Sequence, residues 1–284
     1  MSQPRVLVTG AEGLVGRAVV TRLLEAGHPV TTLTLPDATP HAGVRVVRGD
    51  ARDPDAVREA AEGAQAVAHL AAYPTPRGRP APDVFGNNVT ATFATLWTAA
   101  EQGIRRFVIA SSVNAIGRLF HPHRPLPPRY PIDESTPPDL ADPYSLSKHV
   151  DEATLRAVCR AFDASGVALR LPMMVAPENA ERLVAWSREH AQDGARDGWG
   201  WLDVRDGAEC FRLALTADYA GAHVLQLAAP TTLQDLPTAE LLARHAPGVP
   251  VEGAHPGRAA PIDVRRVRRL LGFEPRRATP GEAD

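Results

Sequence analysis

The sequence predicts an α/β fold: a doubly wound parallel sheet with a small discontinuous C-terminal substrate lobe. Three observations carry this. Short valine-rich apolar runs alternate with longer amphipathic stretches as far as residue 171. A glycine-rich turn joins the first such run to the first amphipathic stretch, and beyond residue 171 the alternation loosens into Pro/Gly loops. Strand–helix alternation of this kind implies right-handed crossovers and a sheet covered by helices on both faces.

Each element follows from local pattern. RVLVT (5–9) reads as a buried strand, followed by a helix over 14–26 that Gly27 closes. PVTTLTL (29–35) and VRVV (44–47) are strands, a helix opens at Asp53-Pro54, and AVAHLA (66–71) is the next strand. A helix over 88–102 leads into RRFVIASS (105–112). Another over 144–164, capped by Gly166, leads into VALRL (167–171). The second half holds a polar helix over 178–192, GWGWLDV (198–204), a helix to about 216 and a strand at 223–227. One or two further helices fall within 230–284, before a loose tail, ATPGEAD. Residues 1–171 are therefore expected to form the doubly wound domain, and 172–284 a small lobe interleaved with the last sheet elements. The stretch 118–143 contains eight prolines and is too long for a turn, so a lid or binding loop is expected there.

Composition narrows the class. The 284 residues carry 31 Lys+Arg against 33 Asp+Glu, a formal net charge of -2, which argues against a general nucleic-acid binder. Hydrophobic residues make up 44%, enough for a packed core. Cys159 and Cys210 cannot build a disulfide framework and read as core residues, as do Trp199 and Trp201. His121 and His123 lack the companion spacing of a metal site, and no metal is expected. No apolar run is long enough to span a bilayer and the N-terminal segment lacks a signal-peptide core, so a cytoplasmic protein with no membrane partner is expected. Among the 31 basic residues, Lys148 is the only lysine.

Three motifs carry chemistry. Gly10-Ala11-Glu12-Gly13-Leu14-Val15-Gly16 follows the first strand and opens the first helix. Glycines there let backbone approach a pyrophosphate, and the helix N-terminus offers free N–H groups to it. Tyr144 and Lys148 stand four apart on a helix, so phenol and ammonium share one face. A free tyrosine ionises near pH 10, too high for a base at neutral pH, and a neighbouring cation lowers that value. With four tyrosines and one lysine, a chance Tyr-x-x-x-Lys would arise in about one shuffled sequence in 70. Ser112 ends the strand RRFVIASS, beside Ser111, where open α/β sheets bind their ligands.

Gly10/Gly13/Gly16, Ser112 and Tyr144/Lys148, in this order and spacing, resemble the short-chain dehydrogenase/reductase superfamily. The extended branch, the NAD-dependent epimerase/dehydratase family with its Rossmann-type sheet, fits best. VRGDARD (47–53), AHLAA (68–72), NNVTAT (87–92), DPYSLSK (142–148) and WLDVRDGAECFRLAL (201–215) extend the likeness over nearly the whole chain. The resemblance implies that Tyr144 is the acid/base, that Lys148 binds the nicotinamide ribose and tunes the tyrosine, and that Ser112 polarises the substrate oxygen. It implies cofactor contacts from Gly10, Gly13, Leu14, Gly16, Asp50 (at the adenine), Ala51, Leu70, Ala71, Ala72, Asn88, Tyr144, Lys148 and Leu171. Tyr73, Ser112, Val113, Asn114, Tyr144 and Met173 would face the substrate, and a homodimer would form through the helices carrying Asn88 and Tyr144.

Departures refine the expectation. At the end of the second strand, where relatives that bind NAD carry an acidic residue, stands Thr34, with Asp37 three residues on. No arginine follows to hold a 2′-phosphate, although Arg17 could approach one, so the cofactor is NAD or NADP with a lean to NAD. Arg170-Leu171-Pro172-Met173 replaces the Arg-x-Pro-Asn common in enzymes of nucleotide-linked sugars, which points to a smaller, free substrate. In shape the chain is closest to the uronate dehydrogenase group, through SSVNAIG (111–117) and Pro177…Arg182…Trp186, although that group has a histidine where this chain has Asn114. Arg182 then becomes the candidate partner of a substrate carboxylate. The expected activity is an NAD(P)-dependent oxidoreductase acting on a free sugar or sugar acid. A nucleotide-sugar epimerase/dehydratase and a non-catalytic NAD(P)-sensing regulator are the alternatives.

Overall fold

The structure, a computed structural model, describes residues 3–282. Seven strands form one parallel sheet: β1 (Val6–Thr9), β2 (Val30–Thr34), β3 (Arg45–Arg48), β4 (Ala66–His69), β5 (Arg106–Ser112), β6 (Ser165–Leu171) and, from the second half of the chain, β9 (Ala222–Gln226). Their order is β3-β2-β1-β4-β5-β6-β9, so the direction of winding reverses between β1 and β4 and opens a crevice at their carboxyl ends. A separate two-stranded parallel sheet pairs β7 (Met173–Val175) with β8 (Trp201–Asp203). The doubly wound α/β architecture expected from the sequence is the one observed.

Strand alternation divides the core into two layers. Val6 and Val8 of β1 pack with Val19, Val20 and Leu23 of α1 (Leu14–Glu25) and Phe211 of α7 (Val204–Thr216). Leu7, between them, joins Leu96 of α3 (Ala81–Glu101), Leu155 of α4 (Pro143–Ala161) and Val57 of α2 (Pro54–Ala61) on the opposite face. Cys159 and Cys210 are buried in these layers, one in each, as expected of core residues. Aspartates start several helices: Asp53 caps α2 by accepting from Asp55 N, and Asp142 caps α4 by accepting from Ser145 N.

Several boundaries differ from the sequence reading, each for a physical reason. Helix α3 begins at Ala81, not at 88, because Pro80 and Pro82 occupy its N-cap and first turn, where a missing N–H costs nothing. Helix α4 ends at Ala161, with Asp163 in the left-handed region (φ 50), and Gly166 lies inside β6 rather than capping the helix. A Cβ on Gly166 would stand 2.6 Å from Leu155 Cδ1 and 3.1 Å from the Phe107 carbonyl, so the glycine lets α4 lie close on the sheet. The polar helix over 178–192 is interrupted at His190, giving α5 (Ala180–Glu189) and α6 (Ala191–Gly194). The described part of the tail is anchored rather than loose: Thr231 Oγ1 donates to the Ala278 carbonyl (2.7 Å), and Arg205 Nη2 to that of Glu282 (2.6 Å).

The proline-rich stretch is a packed strap. Tyr130 and Ile132 bridge in parallel to Val251 and Ile262, and Tyr130 is fully buried with its hydroxyl donating to the Ala195 carbonyl. Around them a third apolar cluster gathers Ile116, Trp199 and, from α8 (Thr238–His245), Leu241 and Leu242. Trp199 and Trp201 are both buried packing residues. The last helix, α9 (Arg265–Leu271), sends Val267 and Leu271 into the first core layer. No helix among the described residues is long and apolar enough to cross a membrane.

Candidate active site

The glycine turn is built by steric necessity at two positions and left open at the third. Gly10 has φ 69, and a Cβ there would lie 2.6 Å from Ala71 N; one on Gly16 would lie 2.0 Å from the Gly10 carbonyl oxygen. A Cβ on Gly13 would meet only that same oxygen, at 3.5 Å, so nothing in the protein demands glycine there. Gly13 is exposed, it forms the N-cap of α1 with no side-chain cap, and the first turn holds no acidic residue. An open floor at an uncapped helix N-terminus fits the pyrophosphate of a dinucleotide.

From this turn a cavity of about 650 Å³ runs past Leu70 and Ala72, along the ends of β5 and β6, to β7 and the α5–α6 segment. Ser112, Tyr144 and Lys148 all line it, as do Gly10, Gly13, Leu14, Gly16, Val113, Asn114, Leu171 and Met173. Tyr144 and Lys148 are one turn apart on α4, and the tyrosine ring packs edge-on against Phe120 of the strap (5.9 Å between centroids). Lys148 Nζ donates to the Ala110 carbonyl (2.9 Å) and to Asp151 Oδ2 (3.2 Å). Burial raises the Asp151 carboxyl above the usual range, against the pull of the Lys148 charge and a hydrogen bond from Thr92.

The two serines of β5 have different partners. Ser111 Oγ donates to Glu152 Oε1 (2.7 Å), and Glu152 also receives Arg170 through Nε (2.8 Å) and Nη2 (3.0 Å), a buried pair that ties α4 to β6. Ser112 Oγ accepts from Asn114 N (3.1 Å) and Nδ2 (3.3 Å). This leaves the Ser112 hydroxyl proton available to a substrate oxygen in the cavity it lines. Beneath the site His69 is fixed between Thr9 Oγ1 (2.8 Å from Nδ1) and Thr92 Oγ1 (3.1 Å from Nε2). Burial, aided by the Lys148 charge, lowers its pKa to about 3, so the imidazole is neutral at working pH.

The remaining expected residues lie elsewhere. Asn88 is fully buried, accepting from Tyr73 N (2.7 Å) and donating to Ser147 Oγ (3.0 Å), so it braces the chain after β4 against α4 instead of touching the cavity. Asp50 is bound bidentately by Arg52, whose hydrogen bonds hold its pKa down, and lines a separate hollow with Tyr73. Ala51 is buried in the second core layer, and Ala71 lies against the glycine turn without facing the cavity. Arg182 is exposed on α5, outside the cavity wall. In its place the wall presents Arg196, nearly buried and bonded to Asp193 (2.7 Å), and Asp197, whose carboxyl burial raises to about 7. Phe120, Trp186 and His190 complete this end. Of these six, Trp186 stood in the Pro177…Arg182…Trp186 pattern, and the other five were not legible from spacing.

Fold and site define an enzyme of the short-chain dehydrogenase/reductase type, with tyrosine, lysine and serine converging beside a dinucleotide turn. A family model described as "NAD dependent epimerase/dehydratase family" matches residues 6–228, and the chain belongs to that family. It is similar to an NAD-dependent glucose-6-phosphate dehydrogenase of Haloferax volcanii, 29% identical over 238 residues that cover 77% of this chain and 82% of the relative. An L-arabinose 1-dehydrogenase (NAD(P)(+)) of the same organism is 34% identical over 155 residues, 52% of this chain and 59% of the relative. Among solved structures, a short-chain dehydrogenase/reductase superfamily protein from Agrobacterium tumefaciens with bound NAD superposes with a TM-score of 0.70. The two are 24% identical, over 96% of this chain and 93% of the other.

Proposed function

We propose that the chain is an NAD-linked dehydrogenase of a small polyhydroxylated molecule, a free sugar or sugar acid. The observation that carries it is the convergence of Ser112, Tyr144 and Lys148 on one cavity whose far end is lined by polar and charged groups. The similarity to sugar dehydrogenases supports the substrate class, and Met173 in place of the asparagine common in nucleotide-sugar enzymes supports a free substrate. When bound along the glycine turn, the nicotinamide supplies the hydride chemistry. The protein's residues do the rest: Ser112 donates to the substrate oxygen, Tyr144 takes its proton during oxidation and returns one during reduction, and Lys148 orients the ribose and favours the phenolate. During oxidation the substrate hydroxyl would lose its proton to Tyr144, the nicotinamide would take the hydride from the carbon that bears this hydroxyl, and a carbonyl would remain.

Residues 1–171 are proposed as the dinucleotide-binding part and 172–284 as the substrate lobe, with Val113, Asn114 and Met173 at their junction. Arg196 takes the role first expected of Arg182, since it is a buried guanidinium at the far end of the cavity wall. Wild-type protein should reduce NAD⁺ with members of a panel of aldoses, uronates and sugar phosphates. Failure with the whole panel would sink the proposal, and turnover of UDP- or dTDP-sugars without net NADH would place the activity among epimerases or dehydratases. With an anionic substrate, Arg196→Ala should raise KM about tenfold or more while Arg182→Ala leaves it unchanged. The reverse result would restore Arg182.

The outer faces of α3 and α4 carry Phe93 (52% exposed, stacked on Trp97) and Leu146 (41% exposed), an apolar surface suited to a second copy of the chain. Light scattering should give the mass of a dimer, and Phe93→Glu should give a monomer. A monomeric wild-type protein would refute this interface.

A further inference from the structure

The sequence has no acidic residue at the end of β2, yet the structure places a carboxylate there. Thr34, the last residue of β2, is fully buried, and its Oγ1 donates to Glu12 Oε1 (2.7 Å) across from the glycine turn. Thr32 Oγ1, 3.0 Å from Thr34 Oγ1, can donate to it in turn, so the threonine's single proton remains directed to Glu12. Among the described residues no donor meets Glu12 Oε2. The turn itself is braced, with Gly13 N donating to the Gly10 carbonyl (3.2 Å) and His41 Nε2 lying 3.3 Å from the Ala11 carbonyl.

Resting on the dinucleotide reading above, we infer that Glu12 is the residue by which this enzyme selects NAD over NADP. In doubly wound folds the carboxyl end of the second strand is where an acidic side chain accepts from the ribose 2′-hydroxyl. Here the acid comes from the glycine turn and the strand supplies only its anchor. The free oxygen of Glu12 can accept one hydrogen bond from a hydroxyl, and its charge repels a 2′-phosphate. The two nearby cations do not neutralise it. Arg17 Nε donates to the main-chain carbonyl of Glu12 (2.9 Å), and Arg48 Nη1 is turned to the carbonyls of Leu35 (3.0 Å) and Ala38 (2.6 Å).

Calorimetric titration of NAD⁺ and NADP⁺ tests this without any substrate. Wild type should bind NAD⁺ more tightly, and Glu12→Gln or Glu12→Ser should narrow the affinity ratio by about tenfold or more, NAD⁺ losing and NADP⁺ gaining. Thr34→Val, which keeps the charge and frees it from its anchor, should shift the ratio the same way by less, and thermal melts confirm that each variant is folded. An unchanged ratio in folded Glu12 variants, or a wild-type preference for NADP⁺, would overturn the inference and leave the enzyme reading intact. Binding of neither dinucleotide by wild type would overturn that reading, and this one with it.

Discussion

Tyr144→Phe is expected to lower kcat by about 10²- to 10⁴-fold, the range associated with one positioned acid/base, while cofactor affinity in the absence of substrate stays close to wild type. The substitution removes one oxygen and keeps the ring, so the edge-on contact with Phe120 survives and the wall of the cavity is preserved. Steady-state turnover and calorimetric NAD titration read the two halves of the prediction. Unchanged turnover would mean that the proton moves through another group. Indifference of every measurable property would favour a regulator that binds the dinucleotide without chemistry.

The largest effect on the fold is expected at Lys148. Its ammonium sits between the Ala110 carbonyl and Asp151, whose side chain is 2% exposed. Lys148→Met leaves that carboxylate buried without a cation, which costs about 3–5 kcal/mol. The cost carries a pH signature. With no cation present, the folded-state pKa of Asp151 rises further above its unfolded value, so the folded variant binds a proton that the unfolded chain has released. The variant should therefore approach wild-type stability at low pH and fall behind as pH rises through the carboxylate range. Pairing it with Asp151→Asn should recover much of the stability and none of the turnover. Chemical denaturation at several pH values checks both statements, and a parallel stability-pH curve for wild type and Lys148→Met would refute the first. Lys148→Arg should not rescue activity, because a planar guanidinium does not fit the space of a compact ammonium.

The parts of the molecule legible in sequence are those that local rules determine. β1 is an unbroken apolar run because it is covered on both faces, and Gly10 and Gly16 are glycines because any side chain would strike backbone. Tyr144 and Lys148 needed only helical periodicity to be placed together. What escaped depends on packing between distant segments. Arg182 and Arg196 are alike in composition and context, and only the break at His190 turns one outward and the other into the cavity. Gly166 looked like a helix cap because the chain leaves α4 only five residues before it, whereas the space above it is filled by Leu155. Glu12 stood in plain view within the glycine motif, but its meaning required knowing that Thr34 lies beside it.

The proline-rich strap bears on the thermodynamics of substrate capture. Its prolines have fixed φ even in the unfolded chain, and Tyr130, Ile132 and the Arg118 guanidinium, which donates to the carbonyls of Leu126 and Pro137 (both 3.0 Å), hold the remainder. The wall bearing Phe120 is thus ordered when the protein folds, before any ligand arrives. For the small, highly hydrated sugar proposed as substrate, which has few apolar atoms to offer, affinity would not be diminished by the entropy of arranging that wall.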